Sequence, residues 1–508
     1  MARIFGGTRG SNGPLARWAP PIAAALFVAV VPSAAAEKAP PAKRNLAVVQ
    51  QMHEAYARDD CKTVIALGVP LVDGKGAASL PDEYLAYAYD IVTSCESGAD
   101  AHRHALQGTA LEGSSDFLWR LRLVIEVDEK KHEAAVSTIE AMVQGRGAAL
   151  NSAPMEWMWR LDSDLEKEGK TDLRLRLLSV LGGDSYAPEE YYGPAGGFQY
   201  DYAVMLAEAG KTDEARAVVA RLETPSSLAS ASLDSRLRAF LSGDPDIRAA
   251  AERSLARHKD AIARHPDRLE PLLLAARDLR QLGRPAEALK LLEPAAGRID
   301  DPESFTDRAK RLNWWWNDVG YLHLQLGHYD QAVAAFRKGA EIVESGSPNV
   351  SQVINLAQIQ NSYGRGEEAL KILAVFEAPE RSLSPYGHMA LRYNRGCANA
   401  VAKRPADAAA DLAYIRAHPK DAPGMLGSLL LCLGDMDGAA AEFIRRLDSA
   451  DTRTAALIEL SDYDDPPVAV PLDPAEARIP ALKARPDVKA AIARAGGIRR
   501  FRVQPGRL

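Results

Sequence analysis

The 508-residue chain is poor in aromatic residues, 6% of the total, and has only four cysteines. β-Branched runs are few, while alanine and leucine abound. That balance argues against a sheet-rich fold and for helices. Past the first 36 residues no apolar run approaches the roughly 20 residues that cross a bilayer, so no transmembrane span is expected. Positive charge is not in excess. Lys and Arg number 62 against 68 Asp and Glu, a net charge of -6, which excludes the basic footprint of a nucleic-acid binder. Catalytic signatures are missing too: there is no HExxH, no GxSxG and no Walker loop. His102 and His104 are two residues apart, on roughly opposite sides of a helix, and make a poor metal clip. The cysteines do not form CxxC pairs and do not read as zinc or redox sites. Acid pairs such as Asp59–Asp60, Glu189–Glu190 and Asp464–Asp465 read as helix-end or solvated groups. No catalytic residue, metal ligand or cofactor site is therefore expected, and the chain reads as a non-enzyme.

The first 36 residues have a composition of their own. They carry Arg3, Arg9 and Arg17 and no acid, then the apolar run "PPIAAALFVAVV" from Pro20 to Val31, then "PSAAAE". A basic start, a short apolar stretch and small residues before a cut are the three parts of a secretory signal. The expected cut follows Ala36, giving an exported, periplasmic protein. Its loss moves the formal charge from -6 to -9, because 59 basic residues then face 68 acids. In an oxidising compartment an even cysteine count suggests disulfides. Cys61 and Cys95 are 34 residues apart and Cys397 and Cys432 are 35 apart. The alternative is four free buried thiols.

A repeat organises the rest. A glycine is followed five residues later by alanine and four further on by an apolar residue. The triplets are Gly210, Ala215 and Val219; Gly283, Ala288 and Leu292; Gly327, Ala332 and Phe336; Gly364, Ala369 and Leu373; and Gly434, Ala439 and Phe443. "AKRPADAAADL" keeps Ala408 and Leu412 but has Lys403 in the glycine place. Glycine suits the left-handed cap that stops a helix, proline the first turn of the next, as at Pro285 and Pro405. Alanine suits a close helix crossing. The unit is an antiparallel helix pair. "WWWNDVGYLHLQLGHYDQAVAAF", with Trp316, Val319, Gly320, His323, Ala332 and Phe336, sits at the W-x2-L-G-x2-Y…A-x3-F spacing. It resembles the tetratricopeptide repeat family, as an exported bacterial member. The resemblance implies an all-α fold: a right-handed superhelical solenoid of antiparallel helix pairs.

The expected organisation is a signal peptide over 1–36, a linker over 37–44 and diverged helix pairs over 45–183. Middle pairs follow over 184–298, a C-terminal array over 299–460, and a proline-rich linker, capping helix and basic tail over 461–508. The segments "YAPEEYYGPAGGFQY" (Tyr186–Tyr200) and "GRIDDPESFTDRAKRLN" are expected breaks between sub-arrays. Solenoids need a terminal element to cover the last apolar face. Cys61 should start the second helix of one pair and Cys95 end the first helix of the next. Cys397 and Cys432 should lie on the first helices of neighbouring repeats.

In the family that the chain resembles, first helices line a concave groove that holds a peptide or partner helix. The resemblance places Trp314, Asn317, Tyr321 and Gln325 on that groove, flanked by Arg277 and Gln281 on one side and Gln358 and Asn361 on the other. Trp316 matches the core tryptophan, and Trp315 is left to pack against the preceding helix or the insertion. The expected function is a non-catalytic scaffold for protein partners in the cell envelope, through an extended peptide or helix. Alternatives are a component of an envelope assembly or polysaccharide-export system, and a hydrolase with an unrecognised site at Glu189 or Glu190. From Arg478 to Leu508 the tail has nine basic residues and one acid, Asp487, so an anionic contact is a second candidate.

Overall fold

The computed structural model describes residues 41–505 apart from 75, 345–346 and 378–382. The expected signal segment and its cut lie outside the described residues. The chain is all-α. Among the described residues the strands are two-residue pieces: β1 (Val343–Glu344) pairs antiparallel with β2 (Ser347–Pro348), and β3 (Asp462–Tyr463) pairs parallel with β4 (Arg500–Phe501). No described helix is long and apolar enough to cross a membrane.

The chain forms two compact units that divide between Glu190 and Tyr191. The first holds α1 (Pro41–Tyr56), α2 (Cys61–Val72), α3 (Asp82–Cys95), α4 (Gly98–Thr109), α5 (Asp116–Asp128), α6 (His132–Gly145), α7 (Gly147–Asn151), α8 (Met155–Lys167) and α9 (Thr171–Leu181). Successive helices pack on one another around a core that includes Met52, Val64, Tyr89, Ile91 and Leu118. Cys61 opens α2, Cys95 closes α3, and the two are disulfide-bonded with Cα atoms 5.0 Å apart. The bridge ties one helix pair to the next. Asp90 of α3 is buried, and burial pushes its carboxyl up to about 7, against a hydrogen bond from Ser115 Oγ (2.7 Å) that lowers it.

The second unit continues with α10 (Gly196–Glu208), α11 (Thr212–Val219), α12 (Pro225–Leu233), α13 (Ile247–Arg264), α14 (Glu270–Gln281), α15 (Pro285–Ala296), α16 (Arg308–Gln325), α17 (Tyr329–Glu341) and α18 (Val350–Ser362). Then come α19 (Gly366–Leu373), α20 (Pro385–Val401), α21 (Ala409–Ala417), α22 (Met425–Leu433), α23 (Met436–Asp448), α24 (Ala450–Leu460), α25 (Ile479–Ala484) and α26 (Pro486–Ala495).

The glycine ladder marks the turn inside each pair. Gly210, Gly283, Gly327, Gly364 and Gly434 all have φ between 71° and 80°, the left-handed region. Each is followed by an N–H that bonds back across the helix end, as Arg284 N to Leu279 O at 2.8 Å and His328 N to His323 O at 2.9 Å. That six-to-one bond is the Schellman closure. Lys403, standing where glycine would, takes φ 61° and closes the same way, Arg404 N to Asn399 O at 2.7 Å. The alanines of the motif, Ala215, Ala288, Ala332, Ala369, Ala408 and Ala439, are all fully buried.

The core runs through the insertion before α16 without interruption. Phe305 and Ile299 join Leu273, Leu279, Leu292 and Trp315 in one cluster. The array of this unit also meets itself. Its last array helix, α24, packs against α12, and Thr454 Oγ1 donates to Asp234 Oδ2 at 3.2 Å. Beyond α24 the chain doubles back, and α26 covers α23 with Val488, Ala491 and Ile492 buried. Cys397 of α20 and Cys432 of α22 form the second disulfide, with Cα atoms 5.5 Å apart.

Two consequences can be measured. Removing the Cys61–Cys95 bridge by a double Cys→Ala substitution should destabilise the first unit by about 4 kcal/mol, the loop-entropy value for a closure of this length. Urea denaturation of oxidised parent against variant checks this. The Asp90 carboxyl has a folded pKa above its ordinary 3.8, so the folded state holds the proton more tightly. Its contribution is present below pH ~4 and is lost as pH rises to ~7. Asp90→Asn should therefore gain stability relative to the parent between pH 4 and 8, and an unchanging difference across that range would refute the assignment.

Candidate functional site on the first helices of the second unit

The three tryptophans lie within α16, and successive positions on a helix point about 100° apart. Trp315 enters the core and is 1% exposed, packed with the preceding helices and Phe305. Trp316 is half-buried, with the Lys338 ammonium 4.2 Å from its ring centroid. The fully buried place thus belongs to Trp315, not to Trp316. The insertion supplies the reason: Ile299 and Phe305 build a core wall on that side of α16. The rest of the motif packs as expected. A Cβ on Gly320 would come within 2.5 Å of the Phe336 ring, and Phe336 is fully buried.

Trp314 is half-buried, and the Arg277 guanidinium lies 5.9 Å from its ring centroid. Arg277 Nε also donates to the buried Asp318 at 2.5 Å. Tyr321 is half-buried, edge-on to Phe336, with the Arg280 guanidinium over its ring at 4.9 Å. Three of the expected amides, Asn317, Asn361 and Gln358, have internal duties. Asn317 is buried and accepts from Asn355 Nδ2 of α18 at 2.8 Å. Asn361 is buried and donates to Asn394 O of α20 at 3.0 Å. Buried amides must be bonded, and these two tie each first helix to the next. Gln281 is buried at the end of α14, where its main-chain carbonyl, not its side chain, accepts from Gln504 N at 2.7 Å. Gln358 Nε2 donates to Asp473 Oδ2 at 3.2 Å. Gln325, at the end of α16, is half-buried, with Oε1 unbonded among the described residues.

Two of those partners belong to the C-terminal segment. After β3 the chain runs past the ends of first helices, with Val468 beside Gly327 after α16. Gln504, which follows β4, lies beside Gly283 after α14 and donates through Nε2 to Asp465 O at 2.8 Å. Asp473 then reaches α18 and α20. Its carboxylate takes the Gln358 amide, the Tyr393 hydroxyl at 2.6 Å and the Ala475 N–H at 2.9 Å. Burial, reinforced by the Asp473 charge, raises the Tyr393 hydroxyl well above its ordinary range. Arg478 closes the run by donating to the Cys432 carbonyl of α22 at 3.2 Å. The face that the sequence assigns to a partner therefore already carries polypeptide from the same chain.

The sequence does not single out Tyr393 or Asp473. A signal for the first exists: Tyr393 stands three residues before Gly396, as Asn317 stands before Gly320, and a Cβ on Gly396 would come within 2.8 Å of Leu429. Asp473, between Leu472 and Pro474, carries no local signal of its destination.

The basic tail finds acids within the chain. Lys483 pairs with Asp462, Arg485 with Asp437 and Asp487, Arg494 with Asp448, and Arg499 with Asp244. Glu190 Oε2 accepts the Met155 N–H at 3.0 Å, at the start of α8. His102 and His104 diverge, the first to Glu126 and the second to Glu96 and Asp73.

A tetratricopeptide repeat family model matches residues 196–221 and 269–294, which are the helix pairs α10–α11 and α14–α15. Those two stretches match the tetratricopeptide repeat. The tryptophan-bearing pair α16–α17 lies outside those two stretches. No curated protein matches the chain in sequence. Among solved structures, Naa15/Naa10 bound to HypK-THB is similar at 12% identity, over 82% of this chain and 70% of that chain, with a TM-score of 0.23. The APC/C hetero-tetramer Cut9-Hcn1 is similar at 12% identity, over 89% and 96%, with a TM-score of 0.23.

The tryptophans differ enough in burial to be told apart. Trp315→Ala should cost about 3–5 kcal/mol of stability in the second unit, as core aromatic deletions do. Trp314→Ala should cost about 1 kcal/mol, the worth of a partly exposed cation–π contact. Chemical denaturation followed by circular dichroism checks both, and equal losses would reverse the assignment.

Proposed function

We propose that the chain is a non-catalytic, exported tetratricopeptide repeat scaffold that binds protein partners in the bacterial cell envelope. The observation that carries this reading is the run of backbone from Asp464 to Arg478 along the first helices of the second unit. A surface that lodges one extended segment through a buried carboxylate anchor has the shape and chemistry to lodge another. Trp314, Tyr321, Arg277 and Gln325 flank that surface. Trp, Tyr and Arg are the side chains most often dominant in partner binding. The two disulfides fit an oxidising compartment. With most tail cations paired internally, protein is a better fit than an anionic surface.

The test uses the mature chain from Glu37 as bait against an envelope extract, beside a Trp314→Ala, Tyr321→Ala double variant shown by circular dichroism to be folded. A protein held by the parent and released by the variant is the expected outcome. Capture of the same proteins by both would remove these side chains from the site. Capture of none by the parent would overturn the scaffold reading.

A further inference from the structure

The segment from Asp464 to Leu472 is held unevenly. Val468 is 41% exposed and Leu472 is 50% exposed, and its neighbours Asp465, Pro467, Ala469 and Pro471 are exposed as well. The segment's first residues are tied to the tail, by Asp464 N to Val503 O at 3.1 Å and Gln504 Nε2 to Asp465 O at 2.8 Å, and Asp473 is its anchor on the array. Asp473 is 5% exposed, and its carboxylate takes two side-chain donors from two different first helices, Gln358 of α18 and Tyr393 of α20. The flanking elements are anchored by other means, β3 by pairing with β4 and α26 by packing on α23. The stretch between them can therefore leave the array while both of its ends stay in place.

We propose that residues 464–474 are a resident stand-in for the partner. The partner's own segment is then extended, carries an aspartate between aliphatic and proline residues, and displaces this stretch by placing that carboxylate on Tyr393 and Gln358. This inference rests on the scaffold reading and specifies the chemistry of its ligand. Three features favour such an occupant. A carboxylate is the group that a tyrosine hydroxyl and a side-chain amide bind together, and charge-assisted hydrogen bonds of this kind are the strong ones. Proline-rich segments are already extended and lose little freedom on binding. The few deep contacts outside Asp473 place little demand on the neighbouring side chains. Because the stand-in is tethered, it competes at an effective concentration on the order of millimolar. Binding in trans should be weak until the anchor is removed.

The probe is a fluorescent synthetic peptide with the sequence of residues 462–478, titrated by anisotropy into the full mature chain. Three forms are compared: parent, Asp473→Asn, and Asp473→Asn with Tyr393→Phe and Gln358→Ala. Parent binding should be weak. Asp473→Asn should bind at least about tenfold more tightly, since a charged hydrogen-bond anchor is worth that much. The triple variant should fall back to the parent's level. Equal binding by parent and Asp473→Asn, or tight binding by the triple variant, would overturn the proposal. Asp473→Ala is a second route to the emptied site, expected to behave as Asp473→Asn does. If neither variant melts cooperatively, the stretch is a structural strap and the proposal falls. An envelope protein captured by the parent and equally by Asp473→Asn would sink the stand-in while leaving the scaffold intact. The peptide results as expected, with no protein captured, would sink the scaffold reading alone.

Discussion

Everything in the second unit depends on how closely the two helices of a pair can cross. A helix pair cannot bury its apolar face alone, so the crossing must leave a surface that the next pair can cover. Alanine at the crossing and glycine opposite a phenylalanine ring set that distance. At Gly320 the Phe336 ring occupies the space a Cβ would need, and the same relation holds between Gly427 and Phe443. The left-handed turn does the rest. It reverses the chain in two or three residues and satisfies the helix-end carbonyls with a main-chain bond, so the reversal needs no side chain. Five glycines and Lys403 share that geometry within about 20° of φ. The energetic cost of a left-handed lysine is of the order of 1 kcal/mol, small beside the burial that each correct crossing secures.

Much of this was legible in the sequence because it is local. The glycine-to-alanine spacing fixed where each pair reverses, and the four cysteines fell on the helix positions that their spacing required. The first unit looked diverged for a physical reason. Its turns put Asp59 and Lys130 in the left-handed place, at φ 58° and 55°, while glycine takes it at Gly98 and Gly169. Periodic glycine is a proxy for positive φ, and the proxy fails where other residues accept the strain. The tryptophans show a different limit. A family spacing gives the core slot to Trp316, but burial is decided by what stands opposite. The insertion put Ile299 and Phe305 there, beside Trp315.

The groove-facing amides show where spacing alone stops being informative. A polar residue on the inner face of one first helix can meet a ligand or the next first helix, and the sequence does not distinguish these. Asn317 and Asn361 meet the next helix, through Asn355 and the Asn394 carbonyl. Left unbonded in the core, each would cost more than its bond contributes, which makes these amides pins of the register between repeats. Tyr321, Trp314 and Arg277, by contrast, stack side chain on side chain at the surface, a looser arrangement that can be rebuilt around an added ring or backbone.

The tail's path turns on one asymmetry. Its helical part is fixed by area, with Val488, Ala491 and Ile492 buried on α23, and by ion pairs on the exposed side. Its extended part is fixed mainly at a point, Asp473. Attachment over an area is lost only with the fold, whereas attachment at a point is lost with one competing group. The segment runs in the same direction as the array, from α16 through α18 and α20 to α22. It therefore meets these first helices in order, with Asp473 reaching two of them. An incoming chain would have to engage several repeats at once to match it, but would need to outbid it at only one. Under the stand-in proposal, the two donors on α18 and α20 select the occupant, and Trp314 and Tyr321 add contact area beside them.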